Sequence, residues 1–115
     1  MIATPMLNLI EKFLDTTTAR HSLVVSNMAN VDTPGYQTQD IDFRSELLRA
    51  VHDSDGAHLP VAHTVQGLLE RPDGNNVSLD REGMVLSETQ IQYRIGVQLL
   101  KTEFHKLLTA INEGK

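Results

Sequence analysis

The chain has no cysteine, which removes disulfides, thiolate nucleophiles and cysteine-ligated zinc from any account of its chemistry. Tryptophan is also missing and aromatics make up only 4% of 115 residues, so a core built on large rings is excluded. Positive charge is in deficit, with ten Lys and Arg against fifteen Asp and Glu and a net charge of -5. The basic residues are scattered, leaving no basic patch of the kind a nucleic-acid surface needs. No apolar run approaches the roughly 20 residues of a membrane span. The opening Met1-Ile2-Ala3-Thr4-Pro5 meets acid and amide within a dozen residues, so it lacks the basic segment and apolar stretch of a cleavable leader. Taken alone this suggests a cytoplasmic protein, although export by a route that cleaves no signal leaves no mark on this test.

What the chain does have is two long segments of helical periodicity, one at each end of a single domain. In the first, from about Pro5 to Asn30, Leu7, Ile10, Leu14, Thr17, His21, Val24, Met28 and Val31 recur at alternating steps of three and four, the spacing of a heptad seam. Pro5 suits a first helical turn. Leu9, Phe13 and Leu23 widen the stripe, while Glu11, Lys12, Asp15 and Arg20 lie largely off it. The second segment runs from Ser78, an N-cap residue followed by Asp80 and Glu82, to about Asn112. Its seam is Leu86, Gln90, Tyr93, Val97, Leu100, Phe104, Leu107 and Ile111, flanked by Ile91, Ile95, Leu99 and Leu108. Gly83 and Gly96 inside it predict local softness or a close neighbour. Helices of some 40 and 50 Å exceed a compact globule of this size, about 13 Å in radius of gyration, and therefore predict a rod-like shape. An isolated hairpin of that form leaves its flanking apolar residues wanting partners.

The expected fold is mainly α: an antiparallel, coiled-coil-like hairpin of helices 5–31 and 78–112, with a short loop-rich middle at 32–77. Within that middle, Thr33-Pro34-Gly35-Tyr36 fits a type II turn, Pro34 supplying the fixed φ and Gly35 the positive one. Asn27 and Asn30 suit the end of the preceding helix, and Tyr36 is placed to anchor the outgoing chain against it. Asp42 can cap a short helix with Phe43, Leu47, Ala50 and Val51 on one face. Asp53-Ser-Asp55-Gly56 reads as a turn and Leu59 to Val65 as extended, with Pro60 arguing against a central strand. Pro72-Asp73-Gly74-Asn75-Asn76 is turn and cap chemistry ahead of the last helix.

No enzyme chemistry emerges. Asp40 and Asp42 are two residues apart, but a general acid/base pair needs an apolar pocket to separate two pKa values, and capping by Asp42 with a solvated or Arg-paired Asp40 accounts for both. His52, His58 and His63 lack metal-site spacing. His21 on the first seam reads as a packed residue and His105 as a surface one. There is no nucleophile elbow and no glycine-rich phosphate loop. Asp73-Gly-Asn-Asn lacks the glycine register and closing Glu of a calcium loop, and Asn76-Val-Ser78 matches a glycosylation acceptor only as a short pattern. No catalytic, metal or cofactor-binding residue is expected.

Asn27-Met-Ala-Asn30-Val-Asp32-Thr33-Pro34-Gly35-Tyr36-Gln-Thr-Gln-Asp40-Ile-Asp42-Phe43 resembles the N-terminal signature of the bacterial flagellar axial family of rod and hook proteins. Asp73-Gly-Asn-Asn76-Val-Ser-Leu-Asp80-Arg81-Glu82, followed by the helix bearing Gln92-Tyr93, resembles its C-terminal half and narrows the likeness to the FlgB family of proximal-rod proteins. Together the motifs cover most of the chain apart from about 53–72. The resemblance implies a structural subunit of the proximal rod that helps transmit torque and is needed for motility. It implies export by the flagellar type III apparatus without signal cleavage, and assembly in the periplasm. The terminal helices would form an inner core, with Leu7, Ile10, Leu14, Val24, Met28, Leu86, Tyr93, Val97, Leu100, Phe104, Leu107 and Ile111 packing helices and subunits. Implied partners are further copies, the rod proteins FlgC and FlgF, the adaptor FliE, the MS-ring and the export apparatus; no cofactor is implied. The middle is short for the family, and Ser78 stands where it often has Asp. The alternatives are the paralogous rod protein FlgC, whose Pro-Asn-Val lead-in to the last helix is missing here, and a soluble helical export adaptor or chaperone.

Overall fold

The computed structural model describes residues 5–52 and 59–113. Its elements in order are α1 (Pro5–Ala29), β1 (Gln39–Ile41), α2 (Phe43–His52), β2 (Ala62–Thr64) and α3 (Leu79–Glu113). The turn expected at Asp53 to Gly56, together with His58, lies outside the described residues. The molecule is mainly α-helical and measures 68 × 25 × 19 Å, with a radius of gyration of 17.8 Å, well above the about 13 Å of a compact chain of this length. The excess comes from α1 and α3, which pack side by side along their length as an antiparallel hairpin.

The caps form as their residue types require. Ser78 Oγ accepts the Arg81 N–H at 3.2 Å at the head of α3, where Asp80 and Glu82 also meet the positive end of the helix. Asp42 accepts the Ser45 N–H at 3.2 Å and the Ser45 hydroxyl at 2.9 Å at the head of α2. These two donors hold the exposed Asp42 carboxyl below the usual carboxylate range. At the end of α1, Asn30 donates from its side-chain amide to the Ser26 carbonyl at 2.8 Å and accepts from the Thr33 hydroxyl at 3.0 Å. The helix stops there because its last carbonyls are taken by the turn that follows.

Three pairs fix the hairpin register: Asn27 beside Glu82, His21 beside Thr89, and Leu14 beside Gly96. The Thr89 hydroxyl gives its proton to the Leu86 carbonyl at 2.9 Å, so at 3.3 Å from His21 Nδ1 it acts as the acceptor. Leu7, Ile10, Thr17 and Val24 of the expected α1 seam are buried, and Leu14 and Met28 are half-buried. On α3 the seam runs along a different line. The residues buried against α1 are Glu82, Val85, Thr89 and Gly96, whereas Leu86, Val97, Leu100 and Leu107 are half-buried and Gln90, Tyr93, Phe104 and Ile111 are exposed. Within one chain, therefore, the bulky stripe predicted for α3 flanks the contact instead of making it. Small side chains occupy the contact because the helices come close: a Cβ on Gly96 would stand 2.5 Å from Leu14 Cδ2 and 3.0 Å from Phe13 Cδ1. Gly83 has no such neighbour within 4 Å, so only one of the two glycines marks a close approach.

The excursion between the helices forms a second layer against α1. β1 and β2 pair antiparallel, with Gln39 opposite Thr64, Asp40 opposite His63 and Ile41 opposite Ala62. Both strands of this two-stranded sheet are edges, so Pro60, just ahead of β2, meets no central strand. Phe43 of α2 meets Phe13 of α1 edge-on, centroids 5.2 Å apart at 85°.

Candidate functional site

The two motif segments, far apart in sequence, meet at the closed end of the hairpin and form a clasp made of turns and buried polar groups. Thr33 to Tyr36 is the expected turn, with the Tyr36 N–H bonded to the Thr33 carbonyl at 3.2 Å and Gly35 at φ +77°. A second turn faces it at Arg71 to Gly74, closed by the Gly74 N–H on the Arg71 carbonyl at 2.8 Å, with Gly74 at φ +86°. The turns lie back to back. The Gly35 N–H donates to the Asp73 carbonyl at 2.8 Å, and a Cβ on Gly74 would sit 3.3 Å from Gly35 Cα. Both glycines are thus required by backbone conformation, and Gly74 by space as well.

Asn75 and Asn76 stitch the turns together. Asn75 is fully buried; its amide donates at 2.8 Å to the carbonyls of Asn30 and of Thr33. Its Oδ1 accepts from the Val77 N–H at 2.8 Å and from Arg71 at 2.7 Å. The Arg71 guanidinium also donates to the carbonyls of Val31 and Val77. Asn76 accepts the Thr38 N–H at 2.7 Å and donates to Gln37 at 2.9 Å. With both ends of its amide engaged and 5% exposure, Asn76 is closed to the glycosylation its short sequence pattern suggests.

Asn27 is the hub of the clasp. It has 0% exposure, donates to the Gln39 carbonyl at 2.8 Å and to Glu82 Oε1 at 2.7 Å, and accepts from the Tyr36 hydroxyl at 3.0 Å and the Gln39 N–H at 3.1 Å. All four hydrogen-bonding positions of one amide are filled. Glu82, equally buried, takes a second partner in Arg81 at 2.8 Å. Arg81 reaches on to Asp40 Oδ2 at 2.6 Å, and Arg20 closes on Asp40 Oδ1 at 2.9 Å. Arg20 also approaches Glu88 at 3.5 Å. The chain Glu88, Arg20, Asp40, Arg81, Glu82, Asn27, Tyr36 therefore ties α1, β1 and the first turns of α3 into one unit. Burial by itself would push the Asp40 carboxyl up. Hydrogen bonds from Arg20, Arg81 and the Ile41 N–H outweigh it and hold the group below the usual carboxylate range. Burial would likewise lower Arg20, but its bond to and attraction by Asp40, with Glu88 behind, raise it.

This geometry decides what Asp40 and Asp42 do. Asp40 is the Arg-paired residue that the sequence allowed for, with its oxygens committed to two guanidinia and a backbone N–H, and Asp42 is a helix cap. Of the other motif residues, Asn27, Asn30, Thr33, Gly35 and Tyr36 belong to the clasp, Phe43 packs on α1, and Asp32 and Pro34 are exposed at the turn. Sequence reasoning missed Arg20 and Arg71 as participants, and it placed Asn75, Arg81 and Glu82 in the C-terminal motif without giving them these contacts. The one available signal was that polar residues of a helix were adjacent to turn segments rich in Asn and Asp. His52, His63 and His105 are exposed. Among the described residues no group of three or more His, Cys, Asp or Glu could hold a metal ion, and no helix is long and apolar enough to cross a membrane.

No family model matches the chain. Comparison with curated proteins, however, finds similarity over nearly its whole length. A flagellar basal body rod protein FlgB of Salmonella typhimurium strain LT2 is 30% identical, covering 90% of this chain and 91% of its own. That of Escherichia coli K12 is 27% identical over the same shares. The FlgB of Cereibacter sphaeroides reaches 34% identity over 80% of this chain and 82% of its own. With 30% identity across nine tenths of each chain, the chain belongs to the FlgB family of flagellar basal body rod proteins.

Proposed function

We propose that this structural rod subunit acts in the proximal part of the basal-body rod, where copies of it and neighbouring axial proteins interlock through their terminal helices. The observation that carries the reading is the exposure of α3. A helix that only completes its own domain presents one apolar stripe, yet here Tyr93, Ile95, Phe104, Leu108 and Ile111 are each about half exposed or more beside the stripe already used. Exposed apolar side chains on both flanks of the used stripe mark interaction surface. Leu86, Val97, Leu100 and Leu107, half-buried at its edges, would complete their burial on assembly, while Leu7, Ile10, Leu14, Val24 and Met28 hold the hairpin together.

In this reading the chain passes through the flagellar type III export apparatus without signal cleavage and assembles in the periplasm above the MS-ring. It meets FliE, FlgC and FlgF there. Torque runs along the paired helices, and the clasp acts as a rigid corner that fixes the middle segment relative to the hairpin. The site lends catalysis no support: among the described residues, Asp40 is spent on two guanidinia and Asp42 on a helix cap. A soluble export adaptor is the weaker alternative, since a protein that works alone would cover the outer faces of α3. The test is electron cryotomography of cells lacking the chain. Basal bodies should retain the membrane ring and lack the shaft, and supplying the chain should restore it; a complete shaft without the chain would refute the reading.

A further inference from the structure

The two helices of the hairpin carry opposite charge on the faces they turn away from each other. On α1 that face holds Glu11 and Asp15, and on α3 it holds Arg94 and Lys101, all four exposed and none in an ion pair among the described residues. At 100° per residue, Arg94 and Lys101 project from one side of α3. Apolar side chains border them, Met84 and Ile91 along one edge and Phe104 and Leu108 along the other, each about half exposed or more.

We propose that this outward face of α3 seats on the outward face of α1 in a second copy of the chain, the two copies lying side by side and pointing the same way. The inference rests on the reading of the chain as a rod subunit and goes beyond it by fixing the faces, the polarity and the register. The choice of faces follows from charge. A two-fold contact of α3 on α3 would set Arg94 and Lys101 against their own copies, and α1 on α1 would set carboxylate against carboxylate. Each face repels itself and attracts the other. A contact between two different faces is heterologous, so it does not end at a pair: each copy keeps one free α1 face and one free α3 face, and copies add in series to a ring or a helical row.

Register follows from the hairpin. The three cross-helix pairs, carried along the helices, put Asp15 level with Ile95 and Glu11 level with Leu99. Arg94 and Lys101 are one and two residues from those levels, offsets of about 1.5 and 3 Å along the axis. A neighbour moved sideways with almost no axial shift therefore brings Arg94 to Asp15 and Lys101 to Glu11. The apolar edges of α3 close over the flanks of the same contact.

The test uses the native lack of cysteine. Ser22 on α1 and Ser87 on α3 are exposed on these outward faces and nearly level, yet on opposite sides of one chain. Cells lacking the native gene are given Ser22→Cys and Ser87→Cys chains together, oxidised with copper phenanthroline, and their basal bodies are isolated. A disulfide-linked dimer should form with both variants present and with neither alone. A dimer from Ser87→Cys alone, or none from the mixture in intact rods, overturns the inference. Charge reversal gives an independent arm. Glu11→Lys with Asp15→Lys in one chain, and Arg94→Glu with Lys101→Glu in another, should each lower the rod-bearing fraction of cells at least tenfold. Producing the two chains together should restore it, because each supplies the face the other lacks; restoration also shows that both variants fold. Full rods from either variant alone overturn the inference while leaving the rod reading intact, whereas rods formed with no chain at all overturn both.

Discussion

The two glycines of α3 give opposite expectations for the same substitution. Gly83→Ala adds a methyl group where no atom lies within 4 Å. It should therefore collect the whole helix-propensity gain of Ala over Gly, about 1 kcal/mol. Gly96→Ala collects the same gain, but its methyl would lie 2.5 Å from Leu14 Cδ2, 3.1 Å from Leu14 Cγ and 3.0 Å from Phe13 Cδ1. Leu14 can turn its terminal methyl aside, whereas its Cγ and the Phe13 ring, which is itself set edge-on against Phe43, can yield only by moving the helix. Overpacking of this kind costs about 1–3 kcal/mol, so the net change should be a loss of up to about 2 kcal/mol after the propensity gain of about 1 kcal/mol is subtracted. Gly96→Val should lose more, since a β-branched residue gains less in a helix and overlaps further. Urea unfolding followed by circular dichroism at 222 nm would give the three midpoints at a common slope. The order from most to least stable should be Gly83→Ala, wild type, Gly96→Ala, Gly96→Val. If Gly96→Ala stabilises as much as Gly83→Ala, the close approach of α1 and α3 at Leu14 is wrong, and with it the register on which the subunit contact was argued.

Other expectations concern the clasp. Asn27→Ala strips partners from buried Glu82, from the Tyr36 hydroxyl and from the backbone of Gln39, and should cost about 3 kcal/mol or more, because each buried polar group left unpaired costs about 1–3 kcal/mol; an unchanged urea midpoint would contradict the hub assignment. Asp40→Asn should cost about 3 kcal/mol, as for other buried ion pairs broken on one side. The pH dependence has a definite sign. Asp40 titrates lower in the folded chain than in the unfolded one, so its contribution is fully present above the ordinary Asp value of about 3.9 and disappears as pH falls through the lower folded value. Thermal melts between pH 6 and 2 should therefore fall less steeply on the acid side for Asp40→Asn than for wild type. Gly35→Val forces a β-branched residue to positive φ and should lose about 2 kcal/mol or more, whereas Gly35→Asn, which tolerates that region, should lose less than about 1 kcal/mol. In cells, Gly35→Val should be exported yet fail to build rods; normal swimming would show that the turn has no such role.

Short-range features were legible in the sequence because each is decided by its own residues. Pro34-Gly35 specifies its turn, Asp42 and Ser78 specify their caps, and the apolar periodicity of 5–30 specifies α1 and its buried line of Leu7, Ile10, Thr17 and Val24. The line on α3 was not legible for a physical reason. Large apolar residues surround most of that helix, so period alone does not distinguish the face used within the chain from faces turned outward. The distinction depends on how closely α1 approaches, and close approach selects Val85, Thr89 and Gly96 over the bulkier Tyr93 and Phe104. Ion pairs such as Arg20 with Asp40, 20 residues apart, and Arg81 with Asp40, 41 apart, carry no local pattern. Their only trace was polar side chains at helix positions that the solvent-facing reading treated as idle. The pairing of β1 with β2 was half visible: the extended character of 59–65 was clear, but β1, three residues long, is too short to show an alternation.

The ladder between Gln39–Ile41 and Ala62–Thr64 means that the polypeptide leaves the hairpin and returns to it at neighbouring points, since directly paired residues sit about 5 Å apart. Beyond the Phe43 contact on Phe13, a segment spliced between those two points has its ends tethered together and adds no lever on the helices. Relatives can accordingly lengthen, shorten or redecorate that excursion, and an experimenter can insert an epitope or a small fluorescent reporter there, while the shaft-forming architecture keeps its dimensions.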